Sequence, residues 1–211
     1  MTSLAPASRP LVLADLALPS GAVARAALNV VFVLAGTALV AGLAQLVIPV
    51  WPVPFTGQTL GVLLVGAALG PLRGALSLGL YLVLGLVGLP VYAPQADGSH
   101  LTGAAAFAAP SFGYVVGFVV AAAVVGLLAR LKWDRNVLKT VLSFAIGSIV
   151  IYVFGVGGLM ITLGLTLPQA ILIGVVPFLI GDAIKALIAG GALPGTWKLV
   201  NRAERGTPKK A

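Results

Sequence analysis

Long apolar runs separated by short polar passages dominate the chain. Six runs have the apolar character of membrane-crossing helices, at roughly 22–48, 59–69, 73–87, 111–131, 137–164 and 168–192. A helix needs about 20 apolar residues to cross a bilayer. The pattern predicts an all-α integral membrane protein with six transmembrane helices.

The second run is short for a straight crossing, because a helix over 59–69 rises only about 17 Å. It follows the proline-rich passage 49–58. Irregular backbone is tolerated inside a membrane only where protein or water satisfies its polar groups. We therefore expect the proline-rich passage to fold back into the membrane zone and line a cavity.

Composition supports a membrane protein. Of the 211 residues, 60% are hydrophobic and 9% are charged, whereas a soluble domain is about 25% charged. A soluble fold of this length could not hide so much apolar surface in one core. The predicted division is an N-terminal segment 1–20 without a signal-peptide pattern, a single membrane domain 21–197, and a basic tail 198–211.

The basic residues behind the net charge of +8 are placed as the predicted membrane topology requires. Basic residues cluster between the apolar runs and at the C-terminus, with no stripe interleaved with aromatics that would indicate nucleic-acid binding. Lys and Arg favour the cytoplasmic side. With both termini cytoplasmic, every basic residue except Lys185 falls on that side, where attraction to anionic membrane lipid is also expected.

No catalytic or metal-binding motif is present. The chain has no cysteine and a single histidine, His100, which excludes thiol chemistry and a His- or Cys-based metal cluster. It lacks a P-loop, a dinucleotide-binding glycine pattern, a metalloprotease motif and a catalytic triad. We therefore expect no cofactor, no bound ATP and no enzymatic activity.

Asp182 and Lys185 interrupt the last apolar run. They are three residues apart and share a helix face. Ionised groups in a span cost a few kcal/mol and normally face a cavity or a partner. One interpretation is a structural ion pair, although apolar residues would stabilise the bundle as well. The other is a ligand site, favoured because Pro177 and Gly181 loosen the helix just before the pair.

Two further polar positions are candidates. Thr56 and Gln58 follow three prolines, and Thr56 could act as the N-cap of the next helix, border a pocket, or do both. Tyr81 stands alone among aliphatic residues in the third run. Its hydroxyl could reach the cavity, or the side chain could simply be packed.

Three stretches resemble one family. The uninterrupted stretch Val53–Val91 closely resembles BioY, the biotin-specific S component of energy-coupling factor transporters. Residues 110–114 resemble its Gly-Pro-(Thr/Ser)-Gly-Gly-Tyr element, and residues 181–186 its Gly-Asp-x-x-Lys-Ala element. Ala109 and Phe112 replace usual glycines, and the loop 93–100 lacks the usual Gly-Gly runs.

The resemblance implies capture of biotin from outside a bacterial cytoplasmic membrane. The S component docks on a transmembrane T component driven by two cytoplasmic ATPases, which alone use ATP. Here Ala22 and Ala26 match the T-component contact. Asp182 would accept from the ureido N–H groups, and Lys185 would donate to the ureido carbonyl or the carboxylate tail. The other implied ligand-binding residues are Phe55, Thr56, Gln58, Tyr81 and Tyr114.

Two rival functions remain open from the sequence. One is a solitary proton-coupled vitamin carrier in which Asp182 is the protonation site. The other is an S component for a different vitamin. A membrane enzyme is the weakest alternative, because no nucleophile and base are paired by any motif in the chain.

Overall fold

Most of the described chain folds into helices that pack against one another. The computed structural model describes residues 12–206, with side chains to residue 203. Its helices are α1 (Ala22–Ala44), α2 (Gln58–Leu69), α3 (Pro71–Leu86), α4 (Ala104–Phe107), α5 (Phe112–Arg130), α6 (Val137–Leu163), α7 (Leu167–Gly174) and α8 (Leu179–Gly206). Short 3-10 turns cover Leu13–Ala17, Trp133–Arg135 and Val176–Phe178. The predicted segment 1–20 and tail 198–211 lie partly outside the described residues.

The first helix is shorter than predicted. It ends at Ala44 instead of continuing to 48, and Val47–Ile48 (β1) pairs antiparallel with Phe55–Thr56 (β2). The prediction failed here because an unbroken apolar run does not distinguish a helix from a strand. The β-branched pair at 47–48 and the prolines that follow favour an extended hairpin.

Four helical stretches of the described chain are long and apolar enough to cross a membrane. They are Ala22–Ala44, Phe112–Arg130, Val137–Leu163 and Leu167–Ala203. Helices α2 and α3 are apolar but shorter. The fold is therefore that of a multi-pass membrane protein, with α2 and α3 as the two runs that length alone does not identify as spans.

Helices α2 and α3 pack against each other and against α5. Gly66 makes this close approach possible, because a Cβ there would lie 2.5 Å from the carbonyl oxygen of Ala122. Between the two helices, Gly70 has φ +83°, which glycine adopts at little cost. Pro71 then starts α3, where its missing N–H is no loss.

The sixth apolar run is not one regular helix. Helix α7 ends at Gly174, a 3-10 turn follows, and α8 starts at Leu179. Pro177 explains the interruption, since proline lacks the backbone N–H and its ring clashes with the preceding helical turn. The break places Asp182 in the first turn of α8, and the same helix runs past the predicted end at 192.

Candidate functional site

A cavity opens between the β1–β2 hairpin, the loop before α4, and helices α5, α6 and α8. The space between its walls, including the part of the mouth that is open to solvent, is about 770 Å³. The predicted lining role of the proline-rich passage is confirmed. The lining residues are Val53, Pro54, Thr56, Gln58, Thr59, Tyr92, Ala93, Gln95, Leu101, Ala106, Ala109, Ser111, Phe112, Tyr114, Val115, Phe118, Ile151, Tyr152, Phe178, Asp182 and Lys185.

Four side chains form a connected polar cluster on one wall. The Lys185 Nζ lies 3.2 Å from Asp182 Oδ1 and donates to Thr59 Oγ1 at 2.6 Å. The Thr59 hydroxyl in turn donates to Asp182 Oδ1 at 3.3 Å. From α6, the Tyr152 hydroxyl donates to Asp182 Oδ2 at 2.5 Å. Helices α2, α6 and α8 thus converge on one carboxylate.

The cluster keeps hydrogen-bonding capacity that no residue of the cluster uses. A carboxylate has about four acceptor sites and an ammonium three donors. Asp182 accepts from one cation and two hydroxyls, and Lys185 donates twice. About one acceptor and one donor therefore remain for a ligand. Their combination suits a group that carries an N–H beside a C=O.

Partial burial strengthens these interactions. The side chains of Asp182 and Lys185 are 11% and 22% exposed. Charges with so little water contact interact more strongly than at a free surface, and a buried pair is tolerated when further hydrogen bonds satisfy it. The position of Asp182 in the first turn of α8 adds the favourable field of a helix N-terminus.

Thr59 and Tyr152 were not among the predicted site residues. Thr59 is 123 residues from Asp182 in the chain and Tyr152 is 30 residues away. The only sequence signals are a hydroxyl in the run 56–59 and a tyrosine in an otherwise apolar helix. Such tyrosines are commonly packed or interfacial, so the pattern does not single this one out.

Thr56 and Gln58 both reach the cavity. The N-cap of α2 is Gly57, so the prediction of Thr56 at that position is wrong by one residue. Thr56 Oγ1 still accepts from the Gln58 backbone N–H at 3.2 Å and donates to Gln58 Oε1 at 2.9 Å. These contacts hold the Gln58 side chain beside the polar cluster.

Tyr81 lies behind the cavity wall, not on it. Its side chain is completely buried, and its hydroxyl accepts from Gln58 Nε2 at 2.6 Å. The structure therefore favours the packed interpretation of this residue over direct access to the cavity. Its contact with the cavity passes through Gln58.

An aromatic group forms the opposite side of the site. Tyr114 lines the cavity, and its hydroxyl donates to the Gly174 carbonyl at 2.7 Å, where α7 ends. Phe178, on the 3-10 turn, also lines the cavity and stacks on Phe55 with ring centroids 4.5 Å apart. Phe55 supports Phe178 from behind and is not itself on the wall.

The loop 89–103 covers the mouth. Tyr92 anchors it, because the Tyr92 hydroxyl donates to the Leu82 carbonyl at 2.6 Å, and burial raises the pKa of Tyr92 to about 12. His100 Nδ1 lies 2.8 Å from the Tyr92 carbonyl oxygen. The two residues that replace family glycines, Ala109 and Phe112, are both on the cavity wall.

Two predicted residues lie away from the cavity. Ala22 and Ala26 are on the exposed first half of α1, and Ala26 borders a groove between α1 and α3. Within residues 12–206, no three His, Cys, Asp or Glu side chains cluster in a way that could hold a metal ion.

Comparisons with known proteins agree on one family. The model of the BioY family matches residues 16–202. The biotin transporter BioY of Thermotoga maritima is 37% identical over 153 residues, covering 72% of this chain and 86% of that protein. The biotin transporter BioY of Rhizobium etli is 36% identical over 145 residues, covering 65% and 74%.

A solved structure is similar throughout its length. It is the S component for biotin from an energy-coupling factor (ECF) type ABC transporter, with a TM-score of 0.71, 29% identity, and coverage of 82% of this chain and 93% of that one. Agreement in sequence, over most of each relative, and in structure leads to one assignment. The chain belongs to the BioY family.

Proposed function

We propose that this chain binds biotin and delivers it across the membrane as the S component of an ECF transporter. The observation that carries the proposal is the cluster of Asp182, Lys185, Thr59 and Tyr152 on the wall of a largely apolar cavity. The relatives named as biotin transporters and the biotin S-component structure support it. As a component of a transporter, the chain is not an enzyme.

The chemistry of biotin fits the spare hydrogen bonds. Its ureido ring presents N–H donors beside a carbonyl acceptor. Asp182 accepts a hydrogen bond from a ureido N–H, and Lys185 donates its remaining hydrogen bond to the ureido carbonyl. The apolar thioether ring and chain then lie among Phe178, Phe118 and neighbouring aliphatic side chains, as most ligand pockets are largely apolar. Gln58 and Thr56 offer further hydrogen bonds at the edge of the site.

The proposed topology has six membrane crossings and both termini in the cytoplasm of a bacterial cell. Four long spans support it directly, and α2 and α3 are the remaining two, with the hairpin supplying part of the depth. The positive-inside rule gives the orientation. The cavity mouth under loop 89–103 then faces outward, where the substrate arrives.

The proposed partners are a T component and two cytoplasmic ATPases. The cavity has no phosphate-binding loop, and ATP is consumed by the partner subunits alone. Ala22 and Ala26 contact the T component in this proposal, and their exposure on α1 is consistent with that role. A solitary proton-coupled carrier and an S component for another vitamin are not favoured by the named relatives.

Calorimetric titration of the purified chain with biotin tests the proposal. Asp182→Asn and Lys185→Ala are expected to abolish tight binding, because each removes one of the two groups that face the ureido ring. Lys139→Ala is the matched control, since Lys139 is an exposed cation at the start of α6. Tight biotin binding retained in both site variants would overturn the assignment of the site.

Uptake measurements test the transport part separately. Cells that express the chain with T and ATPase subunits should accumulate biotin, and ATPase subunits unable to hydrolyse ATP should prevent it. A protonophore that stops uptake while ATP is maintained would instead support the proton-coupled carrier. Preferential binding of another vitamin in a ligand screen would support the second rival.

A further inference from the structure

The first half of α1 is largely exposed, although Asn29 on it accepts a hydrogen bond from Arg73 of α3. All four of its buried residues, Gly36, Thr37, Val40 and Ala44, lie in the second half. A groove runs between the first half of α1 and α3. It shares no lining residue with the cavity described above. It is lined by Asp15, Leu18, Arg25, Ala26, Asn29, Val30, Val33, Leu34, Leu72, Arg73, Ala75, Leu76, Gly79, Leu80, Val83 and Arg130.

The length of the groove matches one leaflet of a bilayer. From Arg25 to Leu34 the lining spans ten residues of α1, which rise about 14 Å. From Leu72 to Val83 on α3 the rise is about 16 Å. The hydrocarbon core of a bilayer is about 30 Å thick, so the groove covers about half of it.

One end of the groove is positively charged. Arg73 pairs with Asp15 and donates to Asn29 Oδ1 at 3.1 Å, so its charge is compensated. Arg25 and Arg130 are exposed, and neither is paired with a carboxylate among the side chains of residues 12–203. The end therefore carries two uncompensated positive charges beside an apolar channel.

We propose that this groove binds an anionic phospholipid. Arg25 and Arg130 contact its phosphate, and one acyl chain lies along the aliphatic residues between α1 and α3. Guanidinium groups suit phosphate because they present several N–H donors in a planar fork. The site is separate from the transport proposal and holds whether or not the cavity binds biotin.

The dimensions favour a lipid over a protein helix as the occupant. A membrane-crossing helix of another protein would contact the full thickness of about 30 Å, whereas the groove has the depth of a single leaflet. The charged end, at the starts of α1 and α3 and the end of α5, also suits the phosphate of a phospholipid. Because Ala26 borders the groove, a T component that docks on this face would displace the lipid.

Native mass spectrometry of the full chain in detergent tests the site. The probes are phosphatidylglycerol and phosphatidylcholine with identical acyl chains. Each arginine near a charged membrane surface should improve binding of the anionic lipid about fivefold, or about thirtyfold together. Arg25→Gln with Arg130→Gln should bring the phosphatidylglycerol adducts down to the level of phosphatidylcholine. Lys139→Gln, which changes an exposed cation outside the groove, should leave them unchanged.

A second variant tests the apolar channel. Gly79 lines the groove and has no atom within 4 Å of an added Cβ, so Gly79→Phe places an aromatic ring in the groove. It should reduce adducts of both lipids, while an unchanged thermal unfolding transition in detergent reports that the fold is intact. Equal adducts of the two lipids on the unaltered chain would overturn the proposal. A phosphatidylglycerol preference that survives the double Gln variant would also overturn it. The same holds if Gly79→Phe weakens docking of the T component but leaves the lipid adducts unchanged.

Discussion

Two aspartates that contact the same helix have different surroundings. Asp182, in the first turn of α8, faces the cavity and binds a cation and two hydroxyls. Asp134, in the turn before α6, accepts from the Nε1 of Trp197 farther along α8. Its Oδ1 has no hydrogen-bond partner among the described residues. One carboxylate is surrounded by donors beside open space, and the other is enclosed.

The surroundings of the two carboxylates distinguish the proposed ligand site from a structural joint, the contact between the turn Trp133–Arg135 and α8. Asp134 is 2% exposed, and burial raises its pKa above the usual range. The guanidinium of Arg135 lies 3.9 Å from the Trp197 ring centroid, so the turn and α8 are held together at this point. No cavity adjoins that joint among the cavities described above. Spare hydrogen bonds beside a cavity, and not burial alone, are the reason we propose Asp182 as the functional carboxylate.

The largest expected effect comes from replacing the whole ion pair. Asp182→Leu with Lys185→Met should weaken biotin binding by at least about 2 kcal/mol, or about thirtyfold, because both hydrogen-bonding groups are lost. Thermal stability should stay equal or rise, since apolar residues commonly replace a buried ion pair without loss. Calorimetry and thermal unfolding in detergent measure the two effects. A double variant that binds normally would return the pair to a purely structural role.

Tyr152→Phe should have the next largest effect. It removes the hydroxyl that orients Asp182 Oδ2, and a hydrogen bond to a charged group contributes about 1.5–3 kcal/mol, so affinity for biotin should fall about tenfold or more. Thr162→Val is the control, because the Thr162 hydroxyl lies on the same helix, donates to the Gly158 carbonyl and does not line the cavity. Equal affinities of the two variants in the same titration would show that Tyr152 does not orient the carboxylate.

The smallest effect concerns the pH dependence of stability. Native Asp134 holds its proton more tightly than the unfolded chain does, so its contribution to stability falls as pH rises from 3.8 through the raised pKa. Asp134→Asn should remove this slope from melting temperatures measured across that range.

Asp97→Asn provides a control of opposite sign. Hydrogen bonds from Ser99 lower the pKa of Asp97. Its stabilisation is therefore present above the unfolded pKa and is lost as pH falls through the lowered value. An unchanged slope in Asp134→Asn would show that the titration of Asp134 does not cause the pH dependence.

Local rules account for the parts of the site that were predicted. Asp182 and Lys185 are three residues apart, and the helical repeat brings their charged groups within 3.2 Å. Pro177 predicts a loosened helix, and the chain does break there. The length of an apolar run was a poor guide at 44–48, where it predicted helix and the chain forms a strand, because both have the same composition. It also did not show that α7 and α8 are separate helices.

The six apolar runs, the Asp182–Lys185 face and the family resemblance were all available from the sequence alone. They depend on spacing within one segment. Only the tertiary structure brought Thr59 and Tyr152 to Asp182 and placed Tyr81 behind Gln58. It also left the first half of α1 largely exposed, with a groove between it and α3. Those outcomes depend on how closely helices pack, which glycines such as Gly66 permit and which no spacing along a single helix encodes.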